Sequence, residues 1–91
     1  MLPVIWSARA EEDLLSIIEF IGERDPWAAE RLGQALKEST WPLPEHPHLF
    51  RRGRVLGTRE IVVHPNYIVV YRVELACIQI LNVLHARQEY P

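Results

Sequence analysis

Apolar positions follow a helical period in the first part of the chain and a strand-like period in the last part. Ala10, Leu14, Ile17, Ile18 and Ile21 recur at helical spacing and form one stripe. Ser7, just before this run, is a good N-cap, and Glu11, Glu12 and Asp13 favour the positive end of the helix dipole. The spacing predicts a helix over residues 8–22. Gly22 loosens it, and Asp25-Pro26 restarts the chain as N-cap and first helical residue. A second helix, over 26–41, presents Ala29, Leu32, Ala35 and Leu36 on one side. Glu30, Arg31, Gln34, Lys37 and Glu38 lie mostly on the other, and Pro42 and Pro44 stop it. Ahead of both helices, Leu2 to Trp6 reads as a strand, with Pro3 near its start suiting an edge position.

Residues 41–54 are irregular. Pro42, Pro44 and Pro47 exclude a regular helix there, and Gly53 allows a turn. Runs rich in β-branched and aromatic residues then predict strands at roughly 55–64, 67–73 and 77–85. Pro65 excludes a tight primed turn between the first two, and a type I turn with Asn66 fits better. Glu74-Leu75-Ala76 supplies the next reversal. The last strand, from Ile78 to Leu84, is apolar on both faces, which predicts a central strand covered on both sides. A helical hairpin covers one face, and a loop, the tail or a second chain must cover the other. The order β-α-α-β-β-β gives an α+β fold, two helices packed on a mostly antiparallel sheet.

Composition narrows the class. The 91 residues make one domain, 1–91, which buries a modest fraction of its surface and would accept an obligate partner. An apolar content of 48% excludes wholesale disorder. Cys77 is the single cysteine, so no internal disulfide or cysteine zinc site is expected, and its apolar surroundings predict a buried thiol. No basic start precedes a long apolar run, and no run approaches the roughly 20 residues of a membrane span. A cytoplasmic protein without a membrane segment is expected. The net charge of −2 hides an asymmetry: residues 1–50 carry four basic and nine acidic side chains, residues 51–91 six and three. All six of the latter basic residues are arginines, whose planar fork suits phosphate and carboxylate. Either the second half meets an anionic partner or the halves neutralise each other.

Candidate chemistry concentrates near the C-terminus. His85, at a strand end, is an acid–base candidate at neutral pH or a structural hydrogen-bonder. Arg87 suits a phosphate or an acidic partner, or is simply solvated. Tyr90 offers a phenol for catalysis or a ring for packing and partner contact. Arg51, Arg52 and Arg54 surround Gly53 in the one dense basic patch, a contact for nucleic acid or an acidic segment, or a solvated loop. Arg59, Glu60 and Arg72 lie on strands and are expected to fix the sheet through ion pairs or hydrogen bonds. Trp6, Trp27 and Trp41 read as core or partner-contact aromatics. His46, His48 and His64 lack metal-ligand spacing, and no glycine-rich phosphate loop is present, so neither metal nor cofactor is expected.

These motifs together resemble the ParE/RelE superfamily of small bacterial toxins encoded beside an antitoxin, most closely its ParE branch. The matching elements are Leu2-Pro3-Val4 leading to Trp6, Asp13-Leu14 with Ile17, Ala28 to Leu32, and Pro42-Leu43 with His46-Pro47. The most specific are Gly57 to Glu60, His64 to Tyr67, Val70 to Val73 and Asn82 to Arg87. The resemblance spans essentially the whole chain. It implies a toxin neutralised by a cognate antitoxin in a hetero-oligomer. ParE-like members are associated with poisoning DNA gyrase, and RelE-like members with cutting mRNA on the ribosome. RelE-type chemistry needs a base for the 2′-OH, an acid for the leaving oxygen and cations for the phosphate. Such proteins draw on several lysines and arginines, whereas Lys37 is the one lysine here. Ile68 stands where RelE-like toxins tend to place an arginine. The resemblance therefore favours a binding-type toxin whose target-binding residues are Arg52, Arg54, Arg59 and Arg87. If the protein is instead a ribonuclease, His85, Arg87 and Tyr90 are the catalytic candidates.

Overall fold

The structure is a computed structural model and describes residues 1–88. Strand β1 (Val4–Trp6) leads into helices α1 (Ala8–Gly22) and α2 (Pro26–Glu38). Four strands follow: β2 (Arg51–Arg52), β3 (Arg59–His64), β4 (Tyr67–Val73) and β5 (Ile78–His85). They form one sheet in the order β1-β5-β4-β3-β2. The chain is thus α+β, as its pattern predicts. Antiparallel hairpins join the consecutive strands β2 to β5, while β1 pairs with β5 in parallel. The long connection that such a parallel pairing requires runs through both helices and then β2 to β4.

Local chemistry accounts for both helix starts. Ser7 Oγ accepts from the Ala10 amide at 3.0 Å, and an Asp25 carboxylate oxygen accepts from the Ala28 amide at 3.0 Å. Each satisfies an amide that the first turn leaves without a partner. The second helix stops at Glu38, three residues short of its predicted end. There the Ser39 hydroxyl donates to the Leu36 carbonyl and the Thr40 hydroxyl to the Lys37 carbonyl, closing the last turn. The strand expected from residue 55 starts at Arg59, because residues 53–58 form a turn that Gly53 N–H···O=C Thr58 closes at 2.8 Å. A Cβ on Gly53 would lie 2.3 Å from Thr58 Oγ1, so only glycine fits.

The core lies between the helices and one face of the sheet. Ala10, Leu14 and Leu36 from the helices meet Ile61, Val69, Tyr71, Ile78, Ile80 and Val83. Leu43, from the proline-rich loop, closes one end. Of the tryptophans, Trp6 is half-buried and packs against the core, whereas Trp27 is 72% and Trp41 66% exposed. Cys77 is half-buried where a buried thiol was expected, because it sits in the β4–β5 turn rather than in the strand. Partial burial, then the Sγ contact with Glu74 Oε1 at 3.5 Å and that residue's charge, hold its pKa above the usual thiol value.

The opposite sheet face carries a second, smaller apolar cluster of Ile68, Val70 and Leu84, with Leu81 and Ala86 packed on it. Its cover comes partly from the chain's own tail. The Ala86 amide donates to the Asn66 carbonyl at 2.8 Å, and the Arg54 guanidinium donates to the Gln88 carbonyl at 3.4 Å.

A bulge in β5 reconciles the two clusters. Val70 faces Asn82 but Tyr71 faces Ile80, so Leu81 is an extra residue. The phase shift lets Ile80 and Val83, three residues apart, both enter the core. Polar groups near the start of α1 take up the displaced backbone. Ser7 Oγ donates to the Leu81 carbonyl at 3.1 Å, and Asp13 Oδ2 accepts from the Val83 amide at 3.0 Å and from Asn82 Nδ2 at 3.4 Å. Asp13→Ala leaves that amide without an acceptor and is expected to cost about 1–3 kcal/mol. Denaturant unfolding will read this as a lower midpoint at an unchanged slope.

Candidate functional site

Cross-strand register determines which side chains share a face. Arg51 opposes Glu60 and Glu60 opposes Val70, so Glu60 points to the face away from the helices. It is buried, at 3% exposure, yet fully engaged. Its Oε1 accepts from Arg51 Nη2 at 3.0 Å, its Oε2 accepts from the Arg54 amide at 3.1 Å, and Arg54 Nε lies 3.9 Å away. One carboxylate therefore anchors the arginine loop. Arg54 reaches on to Gln88 and so joins that loop to the tail that carries Arg87. Arg72 alternates with Val70 along β4 and belongs to the same face.

Arg52 opposes Arg59, and Arg59 opposes Tyr71, which places both arginines on the helix-side face, beyond the ends of the helices. The Arg59 Nη1 donates to the Phe50 carbonyl at 2.8 Å and to the His48 carbonyl at 3.3 Å. Tyr71 Oη donates to the Pro47 carbonyl at 2.8 Å, and the Phe50 ring packs edge-on against the Tyr71 ring. The sheet thus holds the irregular loop at three carbonyls. Burial pushes the Tyr71 phenol above its ordinary pKa of 10.0, and the Phe50 backbone and the Arg59 charge pull it partway back. A raised pKa means that the folded state holds the phenolic proton more tightly than the unfolded chain. This contribution is intact below pH 10 and is lost as the pH rises through the folded-state value. Stability of the parent should fall above pH 10 more steeply than that of Tyr71→Phe, and absorbance of the phenolate should report a late titration.

The four arginines proposed for target binding therefore divide. Arg54 sits at the outer-face carboxylate and is tied to the tail next to Arg87, and Arg52 and Arg59 lie on the other face. His85 ends β5 opposite Tyr67, and their rings meet edge to face at 5.4 Å. His64 lies on the far side of Tyr67, with ring centroids 6.0 Å apart. This three-ring row was not recognised in the sequence, and only the hairpin register could have revealed it. His85 Nδ1 accepts from the Arg87 amide at 3.2 Å. That bond occupies one of the two ring nitrogens. Tyr90 lies outside the described residues. Among the described residues, no group of three or more His, Cys, Asp or Glu side chains is arranged to hold a metal. No helix among them is long and apolar enough to cross a membrane.

Comparison with known proteins agrees with this geometry. Residues 4–90 match the family model described as "ParE toxin of type II toxin-antitoxin system, parDE". Toxin RelE2 of Caulobacter vibrioides is 38% identical over 88 residues, covering 94% of this chain and 97% of that protein. The putative toxin Y4kP of Sinorhizobium fredii is 37% identical over 87 residues, covering 94% and 90%. Among solved structures, a chain of the chromosomal ParDE system from P. aeruginosa superposes with a TM-score of 0.85 at 25% identity, covering 93% of this chain and 96% of its own. The YoeB/ParE toxin from Agrobacterium tumefaciens shares the fold, with a TM-score of 0.67 at 14% identity over 98% of this chain and 100% of its own. A match over nearly the whole length by family model and by relatives alike leaves one assignment: this chain belongs to the ParE toxin family of type II toxin–antitoxin systems, within the ParE/RelE superfamily.

Proposed function

We propose that this toxin acts in the cytoplasm by binding and trapping DNA gyrase, and that a cognate antitoxin neutralises it. The observation that carries this reading is the chemistry of the outer sheet face. It offers Arg54 and Arg72 around an apolar platform, with exposed Arg87 on the adjoining tail. Its buried carboxylate, Glu60, is covered by two arginines, and His85, opposite Tyr67, belongs to the helix-side face. Such a face suits protein and phosphate contact better than proton transfer from a ribose. The test is a gyrase supercoiling and DNA-cleavage assay with the purified toxin, run beside cleavage of mRNA on programmed ribosomes. Trapped gyrase–DNA complexes with intact mRNA are expected. Cleaved mRNA with unaffected gyrase would transfer the reading to a RelE-like ribonuclease.

The antitoxin part of the proposal draws support from the solved ParDE relative and from an open groove of about 530 Å³ between α2 and the β3–β4 hairpin. Its apolar floor includes Leu32, Val63 and Tyr67, and Arg31 stands at its rim. An amphipathic segment with an acidic residue facing Arg31 fits it. Hydrogen exchange with and without antitoxin should reveal added protection in α2 and the hairpin. Unchanged exchange there would remove this site from consideration.

A further inference from the structure

The two faces of the β2–β3 ladder treat their charges differently. On the outer face, Arg51 is opposed by the carboxylate of Glu60. One step along, on the helix-side face, Arg52 is opposed by Arg59. Like charges directly opposite across two strands destabilise a sheet. Among the described residues no carboxylate pairs with either arginine, and the groove beside them, about 400 Å³, has no acidic residue in its described wall. Arg52 is exposed and makes no side-chain bond among the described residues. Arg59 lines the groove and uses Nη1 to hold its two carbonyls, and its Nε and Nη2 make no hydrogen bond among the described residues.

The rest of the wall shapes the ligand. Gly57, at φ 84°, closes one side with open space around its α-carbon, so a ligand can approach the backbone closely. The amides of Val55, Leu56 and Gly57 have no protein acceptor among the described residues. The side chains of Val55, Leu56 and Val73 add apolar wall, and His48 adds a ring. Two guanidinium groups and free amides suit a phosphate, and the volume exceeds what a phosphate fills. We infer that this groove binds a nucleotide, free or as one unit of a nucleic-acid strand, with its phosphate between Arg52 and Arg59 and its base against the apolar wall.

The site does not depend on which macromolecule the toxin traps, and its test needs no target. The intact toxin, labelled with nitrogen-15, is titrated separately with inorganic phosphate, AMP, a thymidine hexanucleotide and an acidic peptide. Amide shifts centred on Gly53, Gly57 and Thr58 are expected, with AMP or the hexanucleotide tighter than phosphate. Which of those two is tighter distinguishes a free nucleotide from a strand. Arg52→Glu should weaken binding at least tenfold and Arg52→Gln severalfold. Arg24→Glu, an equal charge change at an exposed position outside the groove wall, should leave binding unaltered. Circular dichroism will confirm that each variant folds. Shifts elsewhere, equal affinity for inorganic phosphate and AMP, an Arg52→Glu variant that binds normally, or occupancy by the acidic peptide alone would each overturn the assignment.

Discussion

Arg87→Glu is expected to weaken growth arrest strongly, whereas His85→Gln should leave it nearly unaltered. Arg87 is exposed on the tail beside Gln88, which Arg54 holds, so charge reversal there alters the surface without opening the core. A charged anchor of an interface is worth about 2 kcal/mol or more, roughly thirtyfold in affinity. Glutamine at position 85 can still accept from the Arg87 amide, as His85 Nδ1 does now. It cannot transfer a proton at neutral pH. A ribonuclease that relied on His85 would lose about a hundredfold or more in rate. Growth arrest from inducible expression, with folding checked by circular dichroism, separates the two. Arrest lost in His85→Gln with Arg87→Glu still toxic would reverse the proposed mechanism. Arg54 is a poor choice for the same experiment. A carboxylate placed there would face the buried Glu60, so loss of toxicity would be confused with loss of structure.

Tyr71→Ala should be the most damaging single change to the fold. The side chain is fully buried in the central strand, between the core strands and the proline-rich loop. Removing a large buried aromatic costs about 3–5 kcal/mol. Loss of its hydrogen bond to Pro47 and its edge-on contact with Phe50 also releases the loop that those groups hold. A domain of this size has about 5–14 kcal/mol in total, so the variant loses from about a fifth of it to all of it. Tyr71→Phe, which keeps the ring, should cost only about 1 kcal/mol. Thermal melts of the pair will show a gap of at least about 8 °C. A gap near zero would mean that the ring is not what holds the loop to the sheet.

Features encoded by a few adjacent residues were legible in the sequence. Ser7 and Asp25-Pro26 announce both helix starts, because a cap needs only one oxygen within a turn of an open amide. The β3–β4 and β4–β5 hairpins follow from alternation and turn residues. The end of α2 was overestimated because Ser39 and Thr40 close the helix through their own backbone neighbours, leaving the prolines beyond with nothing to stop. The strand β2 has two residues and no period to detect. The candidate site was legible in composition but not in layout. Arg52 and Arg54 are two residues apart and Arg59 follows closely, yet the ladder and the Gly53 turn send them to different faces. The bulge at Leu81 and the parallel partner of β1 are long-range choices that no local window contains.

The parallel pairing sets a clock on this toxin. Val4, Ile5 and Trp6 pair with Ile78, Gln79 and Ile80, and Ser7 bonds to Leu81 across 74 positions. Residues 4–6 wait for residues 78–80, so the five-stranded sheet cannot close until β5 is available. Non-local closure of this kind comes late in folding. The complete sheet is therefore expected only after β5 has emerged. Arrest-peptide force measurements on tethered chains of increasing length should show a single pulling event, and only once β5 has cleared the tunnel. An earlier event, with α1 and α2 alone exposed, would mean that the hairpin folds without its sheet.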